Sequence, residues 1–402
     1  MKKFKQAAAF IMAASMVVAS LAGCGDKSAE TSAETTAETA GESGSTSAAG
    51  GVFKIGGIGP TTGGAAVYGQ AVKNAMELAA EEINAAGGIN GAQVEIQFED
   101  DEHDPEKAVN AYNSLKDWGM QMLVGTVTSG PCTAVVEKTF EDNMFHLTPS
   151  GSAVESIQHE NAFRVCFSDP NQGVASAQYI GEHALASKVA VIYDSSDVYS
   201  SGIYEKFATE AKNQSFEIVA AEAFTADNKT DFSVQLQKAK DGGAELVFLP
   251  IYYTEASLIL QQAKTMGFAP KFFGCDGLDG ILAVEGFDTA LAEGVMLLTP
   301  FAADAEDEMT KKFVGTFTEK YGDIPNQFAA DAYDAMYTVK AAVEKAGLTP
   351  DMSVSDLCEG MKTAMTEVTV EGLTGTITWT ADGEPSKDPK AVVITDGAYK
   401  AM

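Results

Sequence analysis

The run VFKIGGIGPTTGGAAVYGQAVKNAMELAAEEINAAGG (residues 52–88) decides the fold. Val52 to Ile58 reads as a strand, and Val72, Ala75, Ala79, Ile83 and Ala86 then recur at helical spacing until Gly87-Gly88 stops the helix. That is one β–α unit, and the chain repeats it. Val94, Ile96 and Phe98 alternate with polar neighbours as a second strand, and Asp104-Pro105 caps and opens a helix running towards Trp118. Met122 to Gly125 is a third strand, Pro131 to Asp142 a helix and Phe145 to Leu147 a fourth strand. The rhythm restarts with strand Val189 to Tyr193, helix Tyr204 to Lys212, strand Glu217 to Ala221 and helix Phe232 to Lys240. It continues through strand Leu246 to Leu249, helix Glu255 to Met266 and strand Lys271 to Gly274. Such units imply an α/β protein of two doubly wound, parallel-sheet lobes with a cleft between them. About 350 residues beyond Val52 also exceed what one core usually organises.

Upstream, Lys2, Lys3 and Lys5 head an apolar segment, Ala7 to Ala22, that is short for a bilayer span and ends in Ser20-Leu21-Ala22-Gly23-Cys24. This resembles a bacterial lipobox: residues 1–23 are expected to be a cleaved signal peptide, and Cys24 to carry the lipid that holds the protein on the extracytoplasmic face of the cell membrane. Residues 24–51, almost wholly Gly, Ser, Thr, Ala and Glu, cannot bury a core and read as a disordered linker.

Composition excludes several functions. Removing the three leader lysines deepens the formal net charge from −30 to −33, which repels nucleic acid. Arg164 is the only arginine, so a ligand carboxylate or phosphate must be held by amides, hydroxyls or lysine. Cys132, Cys166, Cys275 and Cys358 show no CxxC spacing, and His103, His146, His159 and His183 form no ligand pattern, so neither a metal nor a cofactor is expected. The four cysteines could pair in three ways or stay free. No serine or cysteine has a convincing histidine partner at a strand end, which argues against an enzyme.

Ligands of doubly wound folds bind beyond the carboxyl ends of the strands. The first such loop, Gly56 to Gly64, is not a dinucleotide fingerprint, because Pro60 interrupts it and the helix starts only near Tyr68. The next, Thr128-Ser129-Gly130-Pro131, places Ser129 as N-cap with free amides suited to a carboxylate. Thr148-Pro149-Ser150-Gly151-Ser152 repeats the design, and the residues alone assign it to the same anionic end. The second half adds Tyr199, Tyr252 and Tyr253, and Asp276 in Gly274-Cys275-Asp276-Gly277, an acid placed to meet a ligand ammonium.

Over nearly all of Val52 to Met402 the chain resembles the leucine/isoleucine/valine-binding proteins, type I periplasmic binding proteins of branched-chain amino-acid transporters. The resemblance is carried by Ile55 to Gly59, Tyr68-Gly69, Glu82 to Gly91, Asp100-Asp101, Asp104-Pro105, Phe163-Arg164-Val165, and Asp169 with Gln172-Gly173. It implies two lobes, 52–169 with 300–384 and 170–299 with 385–402, joined by three crossings near Asp169, Pro300 and Asp382 to Pro389, that close on a hinge. It puts Ser129 on the ligand carboxylate, and the Ser150 carbonyl, the Ser152 hydroxyl and Asp276 on the ammonium group; a carbonyl oxygen can accept from an ammonium but offers a carboxylate nothing. Tyr68, Tyr199 and Tyr252 match aromatic positions lining the pocket. The implied role is a monomer that captures an apolar or branched-chain amino acid and presents it to an ABC transporter permease; the alternative is a receptor lobe sensing amides, urea or aromatic compounds. Four positions depart from the family: Asp276 where a glutamate is common, His103 and Thr128 where some members join two cysteines, and Ser200 where a glycine commonly follows the tyrosine.

Overall fold

A computed structural model describes residues 50–402. The expected signal peptide, Cys24 and the linker up to residue 49 lie outside the described residues.

The opening run folds as expected: β1 (Val52–Gly59) leads to α1 (Ala66–Ala85), whose end is turned by Gly87 and Gly88 at φ +107° and +79°. The Gly88 N–H closes on the Ile83 carbonyl at 2.9 Å, satisfying a group the last turn would leave open. β2 (Gln93–Asp100) precedes α2 (Pro105–Trp118), where Asp104 accepts from the amides of Glu106 and Lys107 at 2.9 Å each and Pro105 fixes the first turn. Then come β3 (Met122–Gly125), α3 (Ser129–Glu141), β4 (Phe145–Thr148) and β5 (Ala162–Arg164). These five strands form one all-parallel sheet in the order β2-β1-β3-β4-β5. β3 and β4 are buried along their whole length, as strands covered by helices on both faces must be.

α4 (Asp169–Glu182) carries the chain to a second series: β6 (Lys188–Asp194), α5 (Val198–Glu210), β7 (Glu217–Phe224), α6 (Ser233–Asp241), β8 (Leu246–Leu249), α7 (Tyr253–Thr265), β9 (Lys271–Gly274) and β10 (Met296–Thr299). The chain then returns to pack α8 (Glu308–Tyr321) and α9 (Gln327–Ala346) on α1, followed by α10 (Val354–Met365) and the short ribbon β11 (Val370–Gly372) and β12 (Gly375–Ile377). It ends in β13 (Lys390–Thr395) and β14 (Ala398–Ala401), which belong to the second sheet, ordered β14-β13-β10-β9-β8-β6-β7. The chain therefore passes between the two sheets three times: after Arg164, after Thr299 and after Ile377.

Two expectations need correction. The second sheet is not parallel throughout: β13, reached by the third crossing, runs antiparallel to β10, and a tight turn at Asp396-Gly397, both at positive φ, folds β14 back antiparallel to β13. And α5 begins at Val198, not Tyr204. The run Val198-Tyr199-Ser200-Ser201-Gly202 has weak helix propensity, yet Asp197 caps it by accepting from the amides of Tyr199 and Ser200 at 2.8 and 3.2 Å.

Both parallel series share one order, with the second-formed strand outermost and the first beside the third. Each sheet thus has a switch point, β1/β3 in one and β6/β8 in the other, where consecutive connections leave in opposite directions and open a crevice. The two crevices face each other.

Candidate functional site

Where the crevices meet lies a small, tightly walled cavity. All seven candidate residues, Tyr68, Ser129, Ser150, Ser152, Tyr199, Tyr252 and Asp276, line it. Val127, Thr128 and Phe328 complete the wall.

The near wall is built by the loops after β3 and β4. Thr128, not Ser129, is the cap residue of α3: it is extended at φ −104° and ψ 150°, and its hydroxyl is engaged by His103 Nδ1 at 2.9 Å. Ser129 is consequently the first helical residue. Its amide and that of Gly130 belong to the first turn, where helical N–H groups lack intrahelical acceptors, and Pro131 carries none. The Ser129 hydroxyl stands 3.5 Å from that of Ser152 and accepts from the Ala153 amide at 3.2 Å, so the two hydroxyl loops form one surface. Ser150 turns its own hydroxyl away, donating to the Val127 carbonyl at 2.6 Å.

Beneath this surface lies Arg164, fully buried. Its Nη1 donates to the carbonyls of Gly151, Ser152 and Ala153 at 3.2, 2.5 and 3.0 Å, and Nη2 pairs with Glu384 at 3.3 Å. The only guanidinium thus shapes the loop from behind. Gly151 is needed for the packing: a Cβ there would sit 2.8 Å from both the Cys132 sulfur and the Thr148 hydroxyl.

The far wall centres on Asp276, which follows β9. Tyr199 donates to Oδ1 at 2.7 Å and Gln172 Nε2 to Oδ2 at 3.0 Å; the Gly277 amide donates to the same Tyr199 hydroxyl at 2.9 Å. Burial pushes the carboxyl up to about 6, while the Tyr199, Gly277 and Gln172 hydrogen bonds act in the opposite direction. Tyr199 stacks on Tyr252 with centroids 4.8 Å apart and planes 9° from parallel, and Tyr68 packs on Phe328 at 4.2 Å and edge-on to Tyr253 at 4.8 Å.

Contacts between the halves close the cavity. Tyr68 Oη donates to the Gly277 carbonyl at 2.5 Å, the Val67 amide to Tyr253 Oη at 3.1 Å, Thr254 Oγ1 to the Gly64 carbonyl at 2.7 Å, and Gln327 Nε2 to the Asp276 carbonyl at 3.0 Å. At the rim, His103 lies edge-on to Tyr252 with centroids 5.3 Å apart and 3.8 Å from Asp197. The two positions where some similar proteins place cysteines are thus joined by the His103–Thr128 hydrogen bond. Cys132, Cys166, Cys275 and Cys358 are all free and buried.

Sequence reasoning missed Phe328, which comes from the start of α9 and not from a strand end, and it gave Gln172 to the hinge alone. The arrangement offers hydroxyls and amides on one side, a carboxylate on the other and aromatic rings between.

Fold and cavity together define a two-lobed solute-binding protein in its closed form. Residues 52–398 match the family model described as periplasmic binding protein, and the chain belongs to that family. It is 31% identical to the leucine-, isoleucine-, valine-, threonine- and alanine-binding protein of Pseudomonas aeruginosa over 75% of this chain and 81% of the relative. It is 31% identical to Leu/Ile/Val-binding protein homolog 3 of Brucella melitensis over 85% and 91%. Its fold matches the branched-chain amino acid transporter substrate-binding protein of Streptococcus pneumoniae, solved with isoleucine, at a TM-score of 0.79 and 29% identity over 87% of this chain and 98% of that one. The protein is thus an extracytoplasmic solute-binding protein and not an enzyme.

Proposed function

We propose that this protein captures a free amino acid with an apolar, branched side chain between its lobes and delivers it to the permease of an ABC transporter. The observation that carries the reading is the pairing, across one small cavity, of an amide- and hydroxyl-lined wall with a single buried carboxylate. A zwitterion satisfies both sides at once. The Ser129 amide and hydroxyl take the ligand carboxylate; the Ser150 carbonyl, the Ser152 hydroxyl and Asp276 take the ammonium. Tyr68, Tyr199 and Tyr252, with Phe328, surround the side chain and leave no polar demand on it beyond their hydroxyls. The names of the relatives, which include leucine, isoleucine and valine, support the same ligand class.

The moving bodies are residues 52–169 with 300–384 and 170–299 with 385–402. Ligand shifts the open and closed populations by its preference for the closed form, so the cross-lobe hydrogen bonds of Tyr68, Tyr253 and Gln327 define the state that the permease reads. Cys24 carries the lipid anchor, residues 25–51 give reach from the membrane, and the protein works as a monomer.

A thermal-shift panel of the twenty amino acids, urea and short amides on the full-length protein tests the reading. Leucine, isoleucine or valine should raise the melting temperature through linkage. A shift with urea or amides and none with amino acids would contradict it.

A further inference from the structure

Gln172 is a wholly buried side chain on the first turn of α4, where the chain first leaves one sheet for the other. Both ends of its amide meet one residue: Nε2 donates to Asp276 Oδ2 at 3.0 Å, and Oε1 accepts from the Asp276 backbone amide at 3.3 Å. Its own backbone amide is fixed to the Ser168 carbonyl at 2.9 Å, and the neighbouring Asp169 amide to the Ser152 carbonyl at 2.9 Å. The same turn therefore reaches both the ammonium-facing acid and the loop that carries Ser152.

We propose that Gln172 is a positioning residue that orients the Asp276 carboxylate towards the ligand ammonium and keeps it ionised, tying the binding acid to the first hinge crossing. The inference rests on the amino-acid reading above. Tyr199 occupies Oδ1 and Gln172 occupies Oδ2, so the carboxylate cannot rotate without breaking a bond on either side. The other titratable groups that act on Asp276 are Asp279 and the adjacent Cys275 on its own loop, Asp169 on α4, Cys166 just before α4, Tyr199 on α5, Tyr252 just before α7, Tyr68 on α1 and Asp331 on α9, all of them acids, phenols or thiols. With acids around it, the charged form depends on neutral donors. A glutamine supplies one without adding charge, and its carbonyl holds the backbone so that the donor stays aligned.

The test is calorimetric titration of the full-length protein with leucine from pH 5 to pH 8, comparing the parent with Gln172→Leu and Gln172→Met. Parent affinity should fall on acidification around pH 6, as Asp276 takes up a proton. Loss of a hydrogen bond to a charged group predicts about tenfold weaker binding at pH 7.5 in both variants. The midpoint of the acid limb should also move upwards by about half a unit or more, since a donor that favours the ionised form has gone. Should Gln172→Leu fail to fold, the unbranched Gln172→Met gives the same readout. Variants that keep the parent midpoint, whether or not affinity falls, overturn the proposal, because a merely structural role weakens binding without moving it. A parent that takes no amino acid, or takes 4-methylpentanoate as tightly as leucine, overturns the underlying reading and with it this one.

Discussion

Tyr199 holds Asp276 from within its own lobe: the phenol donates to the carboxylate at 2.7 Å and accepts from the Gly277 amide at 2.9 Å. The tyrosine stands on the first turn of α5 and the acid at the end of β9, so two elements meeting at one sheet edge fix the charge before any ligand arrives. The opposite lobe reaches the same residue, through Tyr68 Oη on the Gly277 carbonyl. Gly277 is thus held from both sides, directly beside the acid.

Tyr199→Phe removes the donor to Asp276 while keeping the ring that stacks on Tyr252. Leucine affinity should fall about tenfold or more, the scale of a hydrogen bond to a charged group. Calorimetric titration at pH 7.5 measures it, and unliganded stability should change by less than the binding does.

Gly277→Ala places a Cβ 2.6 Å from Tyr199 Oη and 2.7 Å from the Ile251 carbonyl. Overpacking of this kind costs about 1–3 kcal/mol. Because Ile251 presents backbone, the tyrosine must give way, so urea unfolding should show the loss and leucine binding should weaken with it.

Arg164→Met tests whether the lone guanidinium serves the ligand or the loop. Its three bonds to the carbonyls of residues 151–153 and its pairing with Glu384 predict a stability loss of about 3 kcal/mol or more, read as a lower urea midpoint. A variant with parental stability and selectively lost binding would place Arg164 on the ligand.

Acidification should stabilise the unliganded protein. Burial pushes the carboxyls of Asp101 up to about 7 and of Asp197, Asp276 and Asp279 up to about 6. Raised folded-state values contribute stability that is fully present below the unfolded value near 3.9 and is lost as pH rises through 6 to 7. Two groups oppose this: His103, held below its usual range chiefly by burial, and the Cys132 thiol, which burial would raise but which hydrogen bonding and charge from His146, with Thr126 and Ser156, bring down to about 7. The melting temperature should therefore rise by about 3 °C or more between pH 8 and pH 5.5.

The fold was legible wherever periodicity and punctuation coincided. Met122 to Gly125, Leu246 to Leu249 and Lys271 to Gly274 are strands with the expected ends, since each is a short apolar run closed by a turn. α4 escaped notice because Asp169-Pro170-Asn171-Gln172-Gly173 reads as a turn, although Pro170 is well placed in a first helical turn. The last hairpin escaped because β13 and β14 break the β–α alternation. Within the site, strand-end logic led to the residues on the loops after β3, β4, β8 and β9. Phe328 had no such signal, for it enters from α9 after more than fifty further residues. The pairing of Gln172 with Asp276 spans 104 positions and is set by where α4 meets the second sheet, which no local pattern encodes.

The most direct measurement of the central claim is calorimetric titration of the full-length protein with leucine, with 3-methylbutylamine, which lacks the carboxylate, and with 4-methylpentanoate, which lacks the amine. Clamping of both charged ends predicts that leucine binds at least about 100-fold more tightly than either analogue, each having lost a charge-assisted set of hydrogen bonds. Equal affinity for leucine and one of the analogues would contradict the account.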